Sequence, residues 1–145
     1  REFYISGDAF VKDWIIKVRN DVPDAPVLVT AGGLLHYFEE NKVISLLRMI
    51  GQSGNMEVVF DTVNKKGMAM MQKKYMKQVG HADAQMFFYV DAAKELAAKI
   101  RGNVKVIAEE PYYRYIPKNG LKLSTKVSMA VSDQFKMVKM IHLKL

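Results

Sequence analysis

Val27-Leu28-Val29-Thr30-Ala31-Gly32-Gly33-Leu34-Leu35-His36-Tyr37-Phe38 is the stretch on which the fold turns. Val27 to Thr30 are apolar or β-branched without alternation, as in a strand buried on both faces of a parallel sheet. The run stops at Ala31-Gly32-Gly33, where adjacent glycines admit positive φ or the close approach of a ligand to the backbone. By spacing alone this is equally a tight strand-to-helix turn and a ligand loop. Beyond it, Val43, Leu46, Leu47 and Ile50 fall at i, i+3, i+4 and i+7 and predict a helix with one apolar face. Gly51 to Asn55 closes that helix, with Gly54 as C-cap or turn residue. Glu57 to Phe60, ending at Asp61, predicts the next strand.

Upstream, Glu2 to Ser6 reads as a short β-type stub, Gly7-Asp8 as a turn and Asp8 as a helix N-cap. Phe10, Trp14, Ile15 and Val18 share one face of the helix that follows, and Asn20 to Pro26 is a loop. The order is then βαβαβ, which predicts a doubly wound α/β sheet. Downstream, helices are expected over Lys65 to Gln78 and over Asp91 to Ile100, the second capped by Asp91 and ended by Gly102. Gly80 to Tyr89 reads as a loop, Val104 to Ala108 as a strand and Leu123 to Ser132 as a helix. In Phe135 to Leu145 one face collects Met137, Lys139, Ile141, Leu143 and Leu145 and the other Val138, Met140, His142 and Lys144. A closing strand of this length predicts a hairpin-like pair added antiparallel to the sheet.

With 145 residues, half of them hydrophobic, the chain reads as one globular domain. Lacking cysteine, it has neither a disulfide framework nor a thiolate metal site. The opening at Arg1, with no Met and no leader, suggests a piece of something longer. No apolar run approaches the ~18 residues of a membrane span, so a cytoplasmic protein without a membrane partner is expected. The net charge of +7 raises nucleic acid as a partner. However, Lys65, Lys66, Lys73, Lys74 and Lys77 form the single dense basic group, and only Tyr75 offers a stacking ring within it. A solvated helix face is the better account. His81 and His142 are far apart and have no carboxylate at metal spacing, so no metal is expected.

In an open α/β sheet, ligands sit beyond the carboxyl ends of the strands. Gly7 to Ala9, Thr30 to Phe38, and Asp61 qualify, and parallel strands would bring all three to one cleft. Asp61 reads also as the cap of the following helix. His36, with its near-neutral titration, suits either a structural role or a general base. Tyr112, Tyr113, Arg114 and Tyr115 are either a strand edge or a lid that stacks on and charge-pairs with a planar or carboxylate-bearing substrate.

Pro26 to Phe38 with Glu39-Glu40-Asn41-Lys42-Val43, then Glu57-Val58-Val59-Phe60-Asp61, then Phe135 to Leu143, together resemble the leucine carboxyl methyltransferase and polyketide O-methyltransferase family. The likeness covers nearly all of the chain but only the C-terminal part of a family member. It implies part of a Rossmann-like class I methyltransferase sheet, with helices on both faces and an antiparallel closing strand. It further implies S-adenosylmethionine as cofactor and a small-molecule hydroxyl or carboxylate as methyl acceptor. Asp8 and the Ala9 amide would hold the adenine, and Ala31, Gly32 and Gly33 would line the methionine end. His36 and Tyr37 would face the methyl-transfer cavity, with Tyr113 and Arg114 on the acceptor. The family carries an acid where this sequence has Gly32, which removes a partner for the cofactor ammonium. The Gly-x-Gly loop and the acid for the ribose hydroxyls would precede Arg1, leaving an open sheet edge. A non-catalytic module whose dimer covers that edge is the competing expectation.

Overall fold

A computed structural model describes residues 2, 4–75 and 85–145, with the side chains of Lys74 and Tyr75 outside the description. The element order is α1 (Asp13–Asp21), β1 (Val27–Ala31), a 3-10 turn (Leu35–Tyr37), α2 (Glu40–Gly51), β2 (Met56–Val63) and α3 (Lys65–Met70), which runs on as a π-turn (Met71–Tyr75). Then come α4 (Ala93–Ile100), β3 (Lys105–Pro111), α5 (Leu123–Gln134) and β4 (Val138–Lys144).

One mixed sheet has the order β1-β2-β4-β3. β1 pairs parallel to β2, from Val27↔Met56 to Ala31↔Phe60. β4 runs antiparallel to both β2 and β3, so β1, β2 and β3 all point the same way. The last strand is therefore not the edge member of a hairpin. It is inserted between two others, with α5 as the connection. Burial alternates along it, with Lys139, Ile141 and Leu143 inside, as the period-2 reading of Phe135 to Leu145 requires.

The core lies on one face of the sheet. Met56, Val58 and Phe60 of β2 and Ile141 and Leu143 of β4 pack under Val43, Leu47 and Ile50 of α2 and Ala93, Leu96 and Ile100 of α4. These are the apolar positions of a 3.6-residue stripe meeting those of a 2-residue alternation. Ile15 of α1 joins the cluster beside β1. Arg19 fastens the other end of α1, its guanidinium donating to the carbonyls of Ala25 at 2.7 Å, Ser53 at 3.0 Å and Gly54. Among the described residues, no helix is long and apolar enough to cross a membrane.

Several expectations shift at the element ends. Residues 2 and 4–6 form no strand, since no described strand lies beside them and an isolated strand leaves its backbone groups unpaired. Asp8 does not cap α1, which begins after Lys12; its carboxylate accepts from the Phe10 amide at 2.8 Å and closes a turn. Asp91 likewise gives way to Ala92 as the N-cap of α4 and accepts instead from the Lys65 amide at 2.9 Å. The helix expected over Lys65 to Gln78 is α-helical only to Met70; its end, Lys77, His81 and residues 80–84 of the expected Gly80–Tyr89 loop lie outside the described residues.

Candidate functional site

The Gly7–Ala9 turn and the β1–α2 loop meet at a cavity of about 290 Å3. Ile5, Gly7, Ala9 and Trp14 form one wall. Val29, Thr30 and Ala31 of β1 with Leu34 and Leu35 form the second, and Leu46, Leu47, Ile50 and Val58 close the floor. Trp14 shapes the first wall, because its indole Nε1 donates to the Ala9 carbonyl at 2.9 Å and fixes the turn over the ring. The two walls are clasped from outside. Phe10 meets Phe38 edge-on at 4.5 Å between ring centres, and the Lys42 ammonium lies 4.4 Å over Phe10 and 5.1 Å over Phe38. Such cation–aromatic contacts add to the packing of both rings against the core.

Asp61 is the third member. It does not cap α3, a place taken by Asn64, whose side chain accepts from the Gly67 amide. Asp61 lies within β2 and accepts from the Gly33 amide at 2.7 Å. Gly33 holds φ +64, a left-handed conformation that suits glycine. The β1–α2 loop is thus set by a glycine conformation and a carboxylate anchored on the neighbouring strand. The sequence signal for this anchor was an acid one residue beyond an apolar strand run, which reads equally well as a cap.

The sequence-predicted residues distribute unevenly. Gly7, Ala9 and Ala31 line the cavity; Asp8 sits in its turn, and Gly32 and Gly33 lie on the loop above it. At Gly32 a Cβ would meet nothing within 4 Å, so the loop is open on that side. His36 and Tyr37 are outside the lining, their rings 4.4 Å apart. Tyr37 is exposed, whereas His36 is buried and its carbonyl accepts from the Phe87 amide at 2.8 Å. Tyr113 and Arg114 follow β3 on the same edge of the sheet. The register Ala31↔Phe60↔Ile141↔Glu109 puts them three strand spacings away, ~14 Å. The Arg114 guanidinium pairs with Glu110 and lies 5.3 Å over Tyr115; the Tyr113 amide donates to Asp133 at 3.1 Å. Glu57 reaches His142 across the strands at 2.7 Å, a neighbour that linear spacing had not revealed. Among the described residues no His, Cys, Asp and Glu group could hold a metal ion.

Burial lowers the titration of His36 below its ordinary 6.5, and the negative Asp61, acting in the opposite direction, does not restore it. The imidazole is therefore neutral at pH 7. Because the native value lies below the unfolded one, the stability it contributes is complete above pH 6.5 and is lost as pH falls through the native value. Chemical denaturation between pH 7.5 and 5 is expected to show stability declining with acid, and His36→Gln to flatten that decline. An equal slope in the variant would place the titrating group elsewhere.

No protein-family model matches the sequence, nor does any curated protein. The fold does have a solved counterpart. It is similar to the crystal structure of a DUF574 family protein from Streptomyces avermitilis MA-4680, with a TM-score of 0.63 and 10% identity over 97% of this chain and 54% of that one. The chain spans about half the length of that protein. At this identity the likeness is one of fold: an α/β, Rossmann-like architecture.

Proposed function

We propose that the chain supplies one wall of the cofactor cleft of an S-adenosylmethionine-dependent O-methyltransferase, of the leucine carboxyl methyltransferase and polyketide O-methyltransferase kind. The observation that carries this reading is the apolar cavity at the carboxyl end of β1, closed by the Gly7–Ala9 turn and lined by Trp14 and Ala31. Its position is the one at which open α/β sheets bind nucleotides, and its walls fit a flat, weakly polar ring such as adenine. The fit ends there. No carboxylate is among the lining residues, so ribose hydroxyls and an ammonium group find partners only at the rim, at Asp8 and Asp61.

The bound cofactor supplies an electrophilic methyl group on sulfonium. The chain's own part is to seat the nucleoside in the cavity, to bring the open Gly32-Gly33 backbone against the methionine end, and to exclude water there. Alignment of acceptor oxygen and methyl carbon can carry most of such a transfer. Tyr37, exposed beside the loop, and the Tyr113–Arg114 turn are the groups proposed to meet a small hydroxyl or carboxylate acceptor. Neutral His36 would act as base or, through its carbonyl bonds to the Phe87 segment, as support. The outer edge of β1 carries no partner strand among the described residues, so its backbone groups are available for a further strand of a complete enzyme.

Trp14 is the single tryptophan and faces the cavity. Titration with S-adenosylhomocysteine is expected to change its fluorescence saturably, and Ala31→Phe, which fills the cavity, is expected to abolish the change without altering the circular dichroism. An unresponsive Trp14, together with no heat of binding in calorimetry, would reject the reading for this chain.

A further inference from the structure

α5 presents an apolar ridge that nothing in the described chain covers. Leu123, Val127, Val131 and Phe135 recur at intervals of four and are 77%, 53%, 46% and 60% exposed, so they form one i±4 row on the outer side of the helix. The inner side is the one that carries buried Met129 and Ser132, with half-buried Lys126 and Asp133 beside them. Helical spacing puts Ser124, Ser128, Ala130 and Gln134 around the ridge. The whole outer face is therefore free of charge, although the chain carries +7 and 26% charged residues. The Ser128 hydroxyl donates back to the Ser124 carbonyl at 3.0 Å, so its proton stays bonded when this face is desolvated.

We infer that this ridge is the contact between two copies of the chain, paired as antiparallel α5 helices about a twofold axis. The order of side chains carries the assignment. Leu-Val-Val-Phe is bulky at both ends and β-branched in the middle, so a twofold axis between Val127 and Val131 sets Val127 against the second copy's Val131 and Leu123 against its Phe135. Rows of i±4 residues interdigitate with the helices crossing at roughly 50°. That crossing brings the two middles close and leaves room at the ends for the larger side chains. An isologous contact of this kind is self-complementary by construction. Charge favours it also, because two strongly cationic copies meet with least repulsion on a face without lysine or arginine. With Leu121 included, the ridge offers on the order of 450 Å2 of apolar surface per copy, within the range of the largest and often functional patches on monomers. Two copies bury about 900 Å2, the lower end of specific interfaces, which makes the dimer weak and concentration-dependent.

Sedimentation equilibrium on the full chain is expected to show a reversible dimer in the micromolar range. Val127→Glu and Val131→Glu should each raise the dissociation constant at least tenfold with an unchanged melting curve. Val127→Glu with Val131→Lys should recover part of the loss, because the two positions face each other across the axis. Leu28→Glu, on the open β1 edge at the far side of the sheet, should leave dimerisation as it is. A wild-type chain that stays monomeric at the highest attainable concentration overturns the assignment. So does a dimer that survives both glutamate variants, or one that Leu28→Glu dissolves.

Discussion

Replacing Lys139 by Met is expected to lower the folding stability by about 3–5 kcal/mol. Lys139 is 1% exposed, in the middle of β4, and its ammonium donates to Glu109 of β3 at 2.6 Å and to the Asp91 carbonyl at 2.7 Å. The other carboxylate oxygen of Glu109 accepts from the Ala93 amide at 3.2 Å. One buried cation thus ties two strands to the start of α4. Met keeps the length of the stem, so the loss is electrostatic: a partly buried carboxylate without its counter-ion. The pair together is worth less than this figure, since two matched charges must also be desolvated. The double variant Lys139→Met with Glu109→Met is accordingly expected to regain most of the stability.

The pH dependence separates this from a packing effect. In the native protein burial pushes the Glu109 carboxyl up, but the Lys139 ammonium and the Ala93 amide together hold it below its ordinary 4.5. A depressed carboxyl contributes stability above its unfolded value and loses it as pH falls through the native one. Without Lys139 the burial effect is opposed by less, and the carboxyl rises. The gap between wild type and Lys139→Met, measured by urea denaturation, should therefore narrow as pH drops below 4.5. A gap that stays constant from pH 7 to pH 3.5 would show that the charge pair is not its source.

Gly67→Ala should destabilise by about 2 kcal/mol, against the preference of helices for Ala. Gly67 lies in the first turn of α3, where an added Cβ would overlap the Met137 carbonyl oxygen and come within 3.1 Å of its carbon. Those are backbone atoms at the entry to β4 and cannot swing away. The same corner holds Asn64, whose amide donates to Met137 O at 3.0 Å and whose side chain donates to Phe135 O at 3.0 Å. Displacing one carbonyl disturbs the whole junction. Gly32→Ala meets nothing within 4 Å and serves as the control, with a change of no more than ~0.5 kcal/mol. A Gly67→Ala protein that melts higher than wild type would contradict the close approach.

How much of this could be read from residues alone follows the range over which each interaction acts. β1, α2 and β4 were legible because an apolar run or a period is a local property. Lys139 was already placed among Ile141 and Leu143 on the apolar face, which marks a buried cation. Its partner, 30 residues upstream, leaves no local mark. Asp61 stood where a helix cap was wanted, and only the fold shows that it turns back to Gly33 while Asn64 caps the helix. Glu57 and His142 became neighbours through antiparallel pairing, a consequence of register. The cavity was half legible: the turn and the loop were singled out, but Trp14 was read as a packing residue. The wall it makes depends on a hydrogen bond to Ala9 that spacing does not encode.

The insertion of β4 between β2 and β3 also has a temporal side. A polypeptide leaving the ribosome would deliver β3 well before β4, yet β4 is the sole neighbour of β3 among the described strands. Until Val138–Lys144 emerges, β1 and β2 are a parallel pair whose β2 flank waits, and β3 has no partner among the described strands. Both long-range ladders then close at once, along a segment of seven residues. Such late, non-local closure is slow and leaves strand edges exposed in the meantime. The emergence of Val138–Lys144 is therefore the step that joins β3 to the β1–β2 pair.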